Sequence, residues 1–144
     1  METGKIVDPF FHFNFRVEID GISRGHFQQC NGFDSTVDVI EYREGGGNIT
    51  PRKLPGLNKF GNIQLKWGMT DDQELYKWHR KVIEGKIERK NGSIILLDRA
   101  GEEVARWNFE QAFPLKYDSP DLNAEGSDVA IEMIELAHEG VKRV

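Results

Sequence analysis

The residues able to carry chemistry in this chain are four histidines, one cysteine, a glycine-lysine run and a few paired carboxylates. A zinc site needs His or Cys ligands at short, regular spacing. His12, His26, His79 and His138 are nowhere two to five residues apart, and Cys30 stands alone. His12 falls on the polar side of a strand pattern and His79 on a helix pattern, so both read as solvated. Cys30 reads as a small buried apolar residue, since free cysteine packs as one. Gly45-Gly46-Gly47 with Lys53 suggests a phosphate cradle, but the spacing G-x-x-x-x-G-K-[ST] is missing and no helical pattern follows directly. Ser35 and Ser93 sit in no nucleophile elbow. Asp71-Asp72 and Glu102-Glu103 are explained as a helix start and a charged turn. Asn48-Ile49-Thr50 and Asn91-Gly92-Ser93 match the glycosylation triplet in form only. The sequence thus offers no catalytic, cofactor-binding or metal-binding set, and an enzyme is not the expected reading.

The elements have clearer signatures. Phe11, Phe13, Phe15, Val17 and Ile19 alternate with His12, Asn14, Arg16, Glu18 and Asp20. Period two over ten residues predicts a strand with one buried and one wet face. Asp20-Gly21 is a turn signal, with a short strand expected from Ile22 to Cys30. Residues 36–43, TVDVIEYR, are β-rich with imperfect alternation. Glu44 to Gly61 holds five of the 15 glycines and two of the five prolines, which predicts a long irregular loop. Ile63, Leu65, Trp67 and Met69 then alternate with polar residues as a second half-buried strand.

One helix is expected from Asp71 to Glu84. Thr70 would cap it with Gln73 as a capping box, Leu75, Trp78 and Val82 would form its apolar stripe, and Gly85 would stop it. Lys86–Lys90 and Ser93–Asp98 flank Asn91-Gly92, the sequence of a tight hairpin turn. Arg99-Ala100-Gly101 turns again. Ala105, Trp107 and Phe109 alternate, and Phe113, Leu115 and Tyr117 keep that phase across Pro114, which suits an edge or a bulge. Residues 118–128 are a polar connection. In 129–140 the apolar pattern slightly favours helix over strand.

The 144 residues fit a single domain, 1–144, with no repeat or linker. With 38% hydrophobic and 30% charged residues the chain reads as soluble and globular. A net charge of -5 argues against a general nucleic-acid coat. One cysteine permits no internal disulfide, in keeping with assembly in a reducing cytoplasm. The N-terminus reads as lacking a secretory leader, and no window approaches the roughly 18 apolar residues of a membrane span. Mostly strand with one helix gives a mainly β domain, a sandwich or flattened barrel.

Four stretches carry a resemblance: DPFFHFNFRVEIDG, FQQCNGFDSTVDVIEYREGG, TPRKLPGLNKFGNIQLKWG and IELAHEGVKR. In this order and spacing they resemble the tail tube family of contractile phages, which includes the inner tube proteins of extracellular contractile injection systems. The resemblance runs from about Asp8 to Arg143. It implies two packed antiparallel sheets with one flanking α-helix, an architecture shared with the haemolysin-coregulated proteins of type VI secretion. It implies homo-hexameric rings stacked into a hollow tube inside a contractile sheath. Sheath, baseplate and tube-terminating proteins would be its partners, with protein cargo in the lumen, no sequence-specific nucleic-acid binding, no membrane anchor and no cofactor. An injection-system tube is the first reading and a contractile-phage tail tube the second. A monomeric β-sandwich that binds a ligand is the reading from another class. The resemblance also turns Val129–His138 into a strand, with a bulge near Met133 or Ile134.

Two surfaces follow as expectations. Asn14, Arg16 and Glu18 form a wet face suited to a channel wall. The 44–61 loop is expected to project as an arm towards another subunit or ring. Ile49, Leu54, Leu57 and Phe60 would give contact area, and Arg52, Lys53 and Lys59 would meet acidic surface.

Overall fold

The structure is a computed structural model, and it describes residues 14–22, 27–43, 45, 50–126 and 128–144. Phe11, Phe13, His12, His26 and Ile49 lie outside the described residues. The chain runs β1 (Asn14–Ile19), β2 (Gln29–Asn31), β3 (Ser35–Tyr42), β4 (Arg52–Phe60), β5 (Ile63–Gly68), α1 (Glu74–Ile83), β6 (Lys90–Leu97), β7 (Glu103–Asp118), β8 (Ile131–Ala137) and β9 (Gly140–Arg143). All pairings are antiparallel. Seven strands follow the order β1-β6-β7-β8-β5-β2, with β9 on the free edge of β7, and β3-β4 is a separate two-stranded sheet. The 16-residue β7 serves both layers: its first half pairs with β6 and β9, its second half with β8.

The two layers close on one core. Val17 and Ile19 of β1, Ile94 of β6 and Phe109 of β7 meet Ile63, Leu65 and Trp67 of β5 and Ile134 and Leu136 of β8. Phe15 and Trp107 are partly buried at its border, where with Cys30, Phe33, Ile94 and Leu96 they line an apolar hollow of about 300 Å³. The alternation read in β1 and β5 therefore holds for the described residues, except that Met69 is exposed beyond the end of β5. Leu75 and Trp78 of α1 join the same core, as expected from the stripe, and Trp78 Nε1 donates to the Glu88 carbonyl at 2.7 Å.

Several expectations need correction. The helix starts at Glu74, not Asp71, and Gln73 makes no side-chain cap. Thr70 Oγ1 instead accepts the Asp72 N–H at 3.2 Å and Asp72 Oδ1 the Glu74 N–H at 3.0 Å, so the capping oxygens are spent one turn early. The stop is as expected: Gly85 has φ +85, its N–H meets the Val82 carbonyl, and Lys86 N–H reaches Lys81. Asn91-Gly92 is not a turn but lies inside β6, opposite β7. A Cβ on Gly92 would stand 2.3 Å from Phe109 Cζ and 2.5 Å from the Glu18 carbonyl, so glycine is there to let β1 and Phe109 approach. The hairpin turn is at Asp98–Gly101, where Asp98 Oδ1 accepts the Glu102 N–H.

The phase of β7 changes at Gln111, which has φ +55 and donates its N–H to Asn91 Oδ1 at 3.0 Å. Ala112 and Pro114 thereby turn inward, while Phe113 is half-buried and Leu115 is exposed. A bulge between Pro114 and Lys116 then restores Tyr117 to the core side. The expected bulge in β8 is absent: its pairing with β5 is continuous from Ile131 to Leu136. His79 is not free in solvent, since its ring lies against Tyr117 and its Nδ1 donates to the Pro114 carbonyl at 3.2 Å.

Candidate assembly surface

The largest correction falls on the projecting arm. Residues 52–60 are not an irregular loop but strand β4, paired with β3 from Tyr42↔Arg52 to Ser35↔Phe60. Pro55 and Gly56 are tolerated because they sit at a register shift opposite Val37–Val39, where Gly56 approaches the Asp38 carbonyl. The described contact candidates all lie on this strand: Arg52, Lys53, Leu54, Leu57, Lys59 and Phe60. Lys59 is paired with Asp38 at 3.1 Å within the hairpin. Sequence reasoning missed the other half of the surface, Val37, Val39, Ile40 and Tyr42 of β3, which are all exposed. The signal was in the sequence as the broken alternation of TVDVIEY, with apolar residues on both faces of one strand.

Seven apolar side chains are thus exposed on one hairpin: Val37, Val39, Ile40, Tyr42, Leu54, Leu57 and Phe60, with Val39 at 63% and Leu57 at 74%. Single exposed apolar residues are ordinary, but seven on one two-stranded hairpin make it a candidate contact surface. A two-stranded hairpin is marginal by itself in water. The base of this one is tied to the body. Gly61 N–H donates to the Asp34 carbonyl at 3.1 Å, and His138 Nε2 donates to the Gly61 carbonyl at 2.7 Å. A Cβ on Gly61 would fall 2.2 Å from Asp34 Oδ1, and one on Gly32 (φ +87) 2.0 Å from the Asn62 carbonyl, so both glycines are required for the close turn into β5.

Asn14, Arg16 and Glu18 are exposed on the outer face of β1, as expected. They continue a polar sheet face that includes Ser93, Arg106 and Asn108 across β6 and β7. The charges on it are compensated: Arg16 meets Glu18 at 3.2 Å, and Arg106 meets Glu103 at 2.7 Å and Glu18 at 3.9 Å. The hydrogen bond from Arg106 holds the Glu103 carboxyl below its usual range. Ile95, the cross-strand neighbour of Arg16 and Arg106, is fully buried. The sheet path ends at β1 and β2, whose outer edges have no strand partner among the described residues. No group of three metal-ligating side chains occurs among the described residues, and no described helix is long and apolar enough to cross a membrane.

Sheet edges without a strand partner among the described residues, a polar compensated face and an exposed apolar hairpin are the features expected of a surface that meets other chains. The chain belongs to the T4-like virus tail tube protein gp19 family, whose model matches residues 11–142, and it is a structural subunit of the tube. It is similar to a chain of the PVC extracellular contractile injection system sheath-tube complex in the extended state, with 32% identity, a TM-score of 0.84, and coverage of 94% of this chain and 91% of that one. A chain of the PVC sheath/tube terminator is similar at 31% identity and a TM-score of 0.86, covering 97% and 99%. Hcp1 from Flavobacterium johnsoniae shares the fold at 17% identity and a TM-score of 0.57, covering 91% and 94%. No curated protein matches the chain in sequence. The expected fold class and family are therefore borne out.

Proposed function

We propose that the chain forms homo-hexameric rings that stack into the inner conduit of a contractile injection system and performs no catalysis. Ring closure would pair the outer edges of β1 and β2, which lack a strand partner among the described residues, with neighbouring copies. The hairpin β3–β4 would lie on an adjacent copy, with Leu54, Leu57 and Phe60 supplying apolar area and Arg52 and Lys53 meeting acidic surface on a chain of net charge -5. Asn14, Arg16 and Glu18 would face the channel, where a compensated polar wall lets protein cargo pass without adhering. Assembly would take place in the cytoplasm, with sheath, baseplate and tube-terminating proteins as partners. The PVC and anti-feeding prophage assemblies that supply the similar structures include a sheath-tube complex, a baseplate and a tube-terminating cap.

The observation that carries this reading is the exposed apolar hairpin, a surface suited to contact with another chain. Replacing residues 46–58 with a short glycine-serine linker tests it. The seven-stranded sheet contains none of those residues, so circular dichroism should show a folded domain with a cooperative melt. Electron microscopy should show no tubes, or single rings only. Long tubes from that variant would remove the hairpin from assembly.

A further inference from the structure

The phase of β8 poses a question that apolar burial does not answer. Its inward set is Glu132, Ile134 and Leu136, and its outward set is Ile131, Met133, Glu135 and Ala137. Each set carries one glutamate, and the outward set has more apolar side chains. Hydrophobicity alone would at least tolerate the opposite phase, and a slip of one residue exchanges the two faces completely. Yet Glu132 is inside at 5% exposure, with Ile134 and Leu136 fully buried.

What differs between the faces is hydrogen bonding. Glu132 Oε1 accepts Trp67 Nε1–H at 3.1 Å, and Glu132 Oε2 accepts the Tyr117 hydroxyl. Trp67 is on β5 and Tyr117 on β7, so one carboxylate ties β8 to both of its neighbours. On the outer face, Glu135 accepts Asn62 Nδ2 at 3.0 Å and Gln64 Nε2 at 2.9 Å. We propose that Glu132 and Glu135 together form a two-sided key that fixes the register of β8, and with it the surface the strand presents. In the native register Trp67, Leu65 and Ile63 face Glu132, Ile134 and Leu136. A slip in one direction sets Glu135 against Leu65, and a slip in the other sets it against Ile63. Both are fully buried apolar positions that offer a carboxylate no donor. Either slip also strips Trp67 Nε1 and the Tyr117 hydroxyl of their acceptor. Buried polar groups that choose among alternative apolar packings are a known use of such networks.

The test traps the register covalently. Lys66 and Met133 are directly opposed on the outer face, within reach of a disulfide. In a C30A background, K66C/M133C should crosslink efficiently on mild oxidation, the product being located by peptide mass analysis. E132M and E135M, each added alone, should keep that crosslink, because the remaining glutamate still penalises a slip. E132M/E135M, checked for a cooperative melt, should lose a large part of it as β8 divides between two phases. An undiminished 66–133 crosslink in the folded double variant overturns the proposal. So does its loss in either single variant, a result that stays readable if the double variant does not fold.

Discussion

The hairpin makes its sharpest prediction at Leu57. This side chain is 74% exposed in the isolated chain, so it contributes little to the stability of the domain itself. Leu57→Asp should change the unfolding free energy by no more than about 0.5 kcal/mol, as surface substitutions usually do. That corresponds to a shift in melting temperature of about 2 °C or less for a chain of this size. In the assembled tube the same position would be covered by a neighbouring copy. Losing the burial of a leucine costs about 1.5–3 kcal/mol, and a carboxylate left unpaired in an interface adds several kcal/mol more. Every 1.4 kcal/mol is tenfold in affinity, so burial alone weakens each contact by roughly 10- to 100-fold, and a ring repeats the loss at each subunit. The assay compares thermal melts of dilute subunit with sedimentation and negative-stain images over a concentration series. L57D should melt like the parent yet need far higher concentration to form tubes. Tubes of normal length at the parent's threshold concentration would refute the contact. A melt lowered by many degrees would show that Leu57 belongs to the subunit's own core.

Three further outcomes follow. Gly92→Ala should cost about 1–3 kcal/mol, the range for overpacking, because its Cβ meets Phe109 and the Glu18 backbone; an unchanged urea midpoint would mean that β1 and β6 do not approach so closely. Burial pushes the Cys30 thiol up from 9.0 to about 12. The folded state therefore holds the neutral thiol while the unfolded chain ionises, so this contribution is intact below about pH 9 and is lost as the pH climbs towards 12; C30A should flatten that part of the stability profile, and an identical slope in both proteins would contradict the burial. Cysteines introduced at Asn14 and Glu18 should react with small reagents in assembled tubes but resist bulky ones, and ready labelling by bulky reagents along the whole tube would place this face outside.

How far the fold could be read ahead of the structure depended on whether local pattern and tertiary contact agreed. In β1, β5 and α1 they did: Val17, Ile19, Ile63, Leu65, Trp67, Leu75 and Trp78 are all in the core that their spacing predicts. In β6 they conflicted. Asn91-Gly92 has the chemistry of a turn, but the glycine is used to admit a phenylalanine ring from the next strand, which nothing nearby in sequence announces. In β8 the inward glutamate disguised the phase, because its donors Trp67 and Tyr117 come from distant parts of the chain. Phe113 and Leu115 were misplaced for a related reason. A left-handed residue at Gln111 and a bulge after Pro114 shift the phase twice within one strand, and neither leaves a periodic trace.

Of the exposed apolar residues on the hairpin, the sequence pointed to those of β4 and not to those of β3. Glycine and proline at 55–56 made β4 look like a loop, since those residues are poor in a paired interior. They are acceptable here because, among the described residues, β4 pairs with β3 alone, so an irregular register costs few hydrogen bonds. That same isolation leaves apolar residues uncovered on both faces of the hairpin: in β3, Val37 and Val39 point one way and Ile40 and Tyr42 the other. Two strands with both faces wet cannot repay their own ordering entropy. Their direction is nevertheless set at the base, where Asp34, Gly61 and His138 hold the crossing into β5. An arm aimed by its own domain before it meets a neighbour loses less freedom on docking than a flexible loop would. In the proposed tube, the free energy that the hairpin fails to gain in the monomer would be available at its contact with a neighbouring copy.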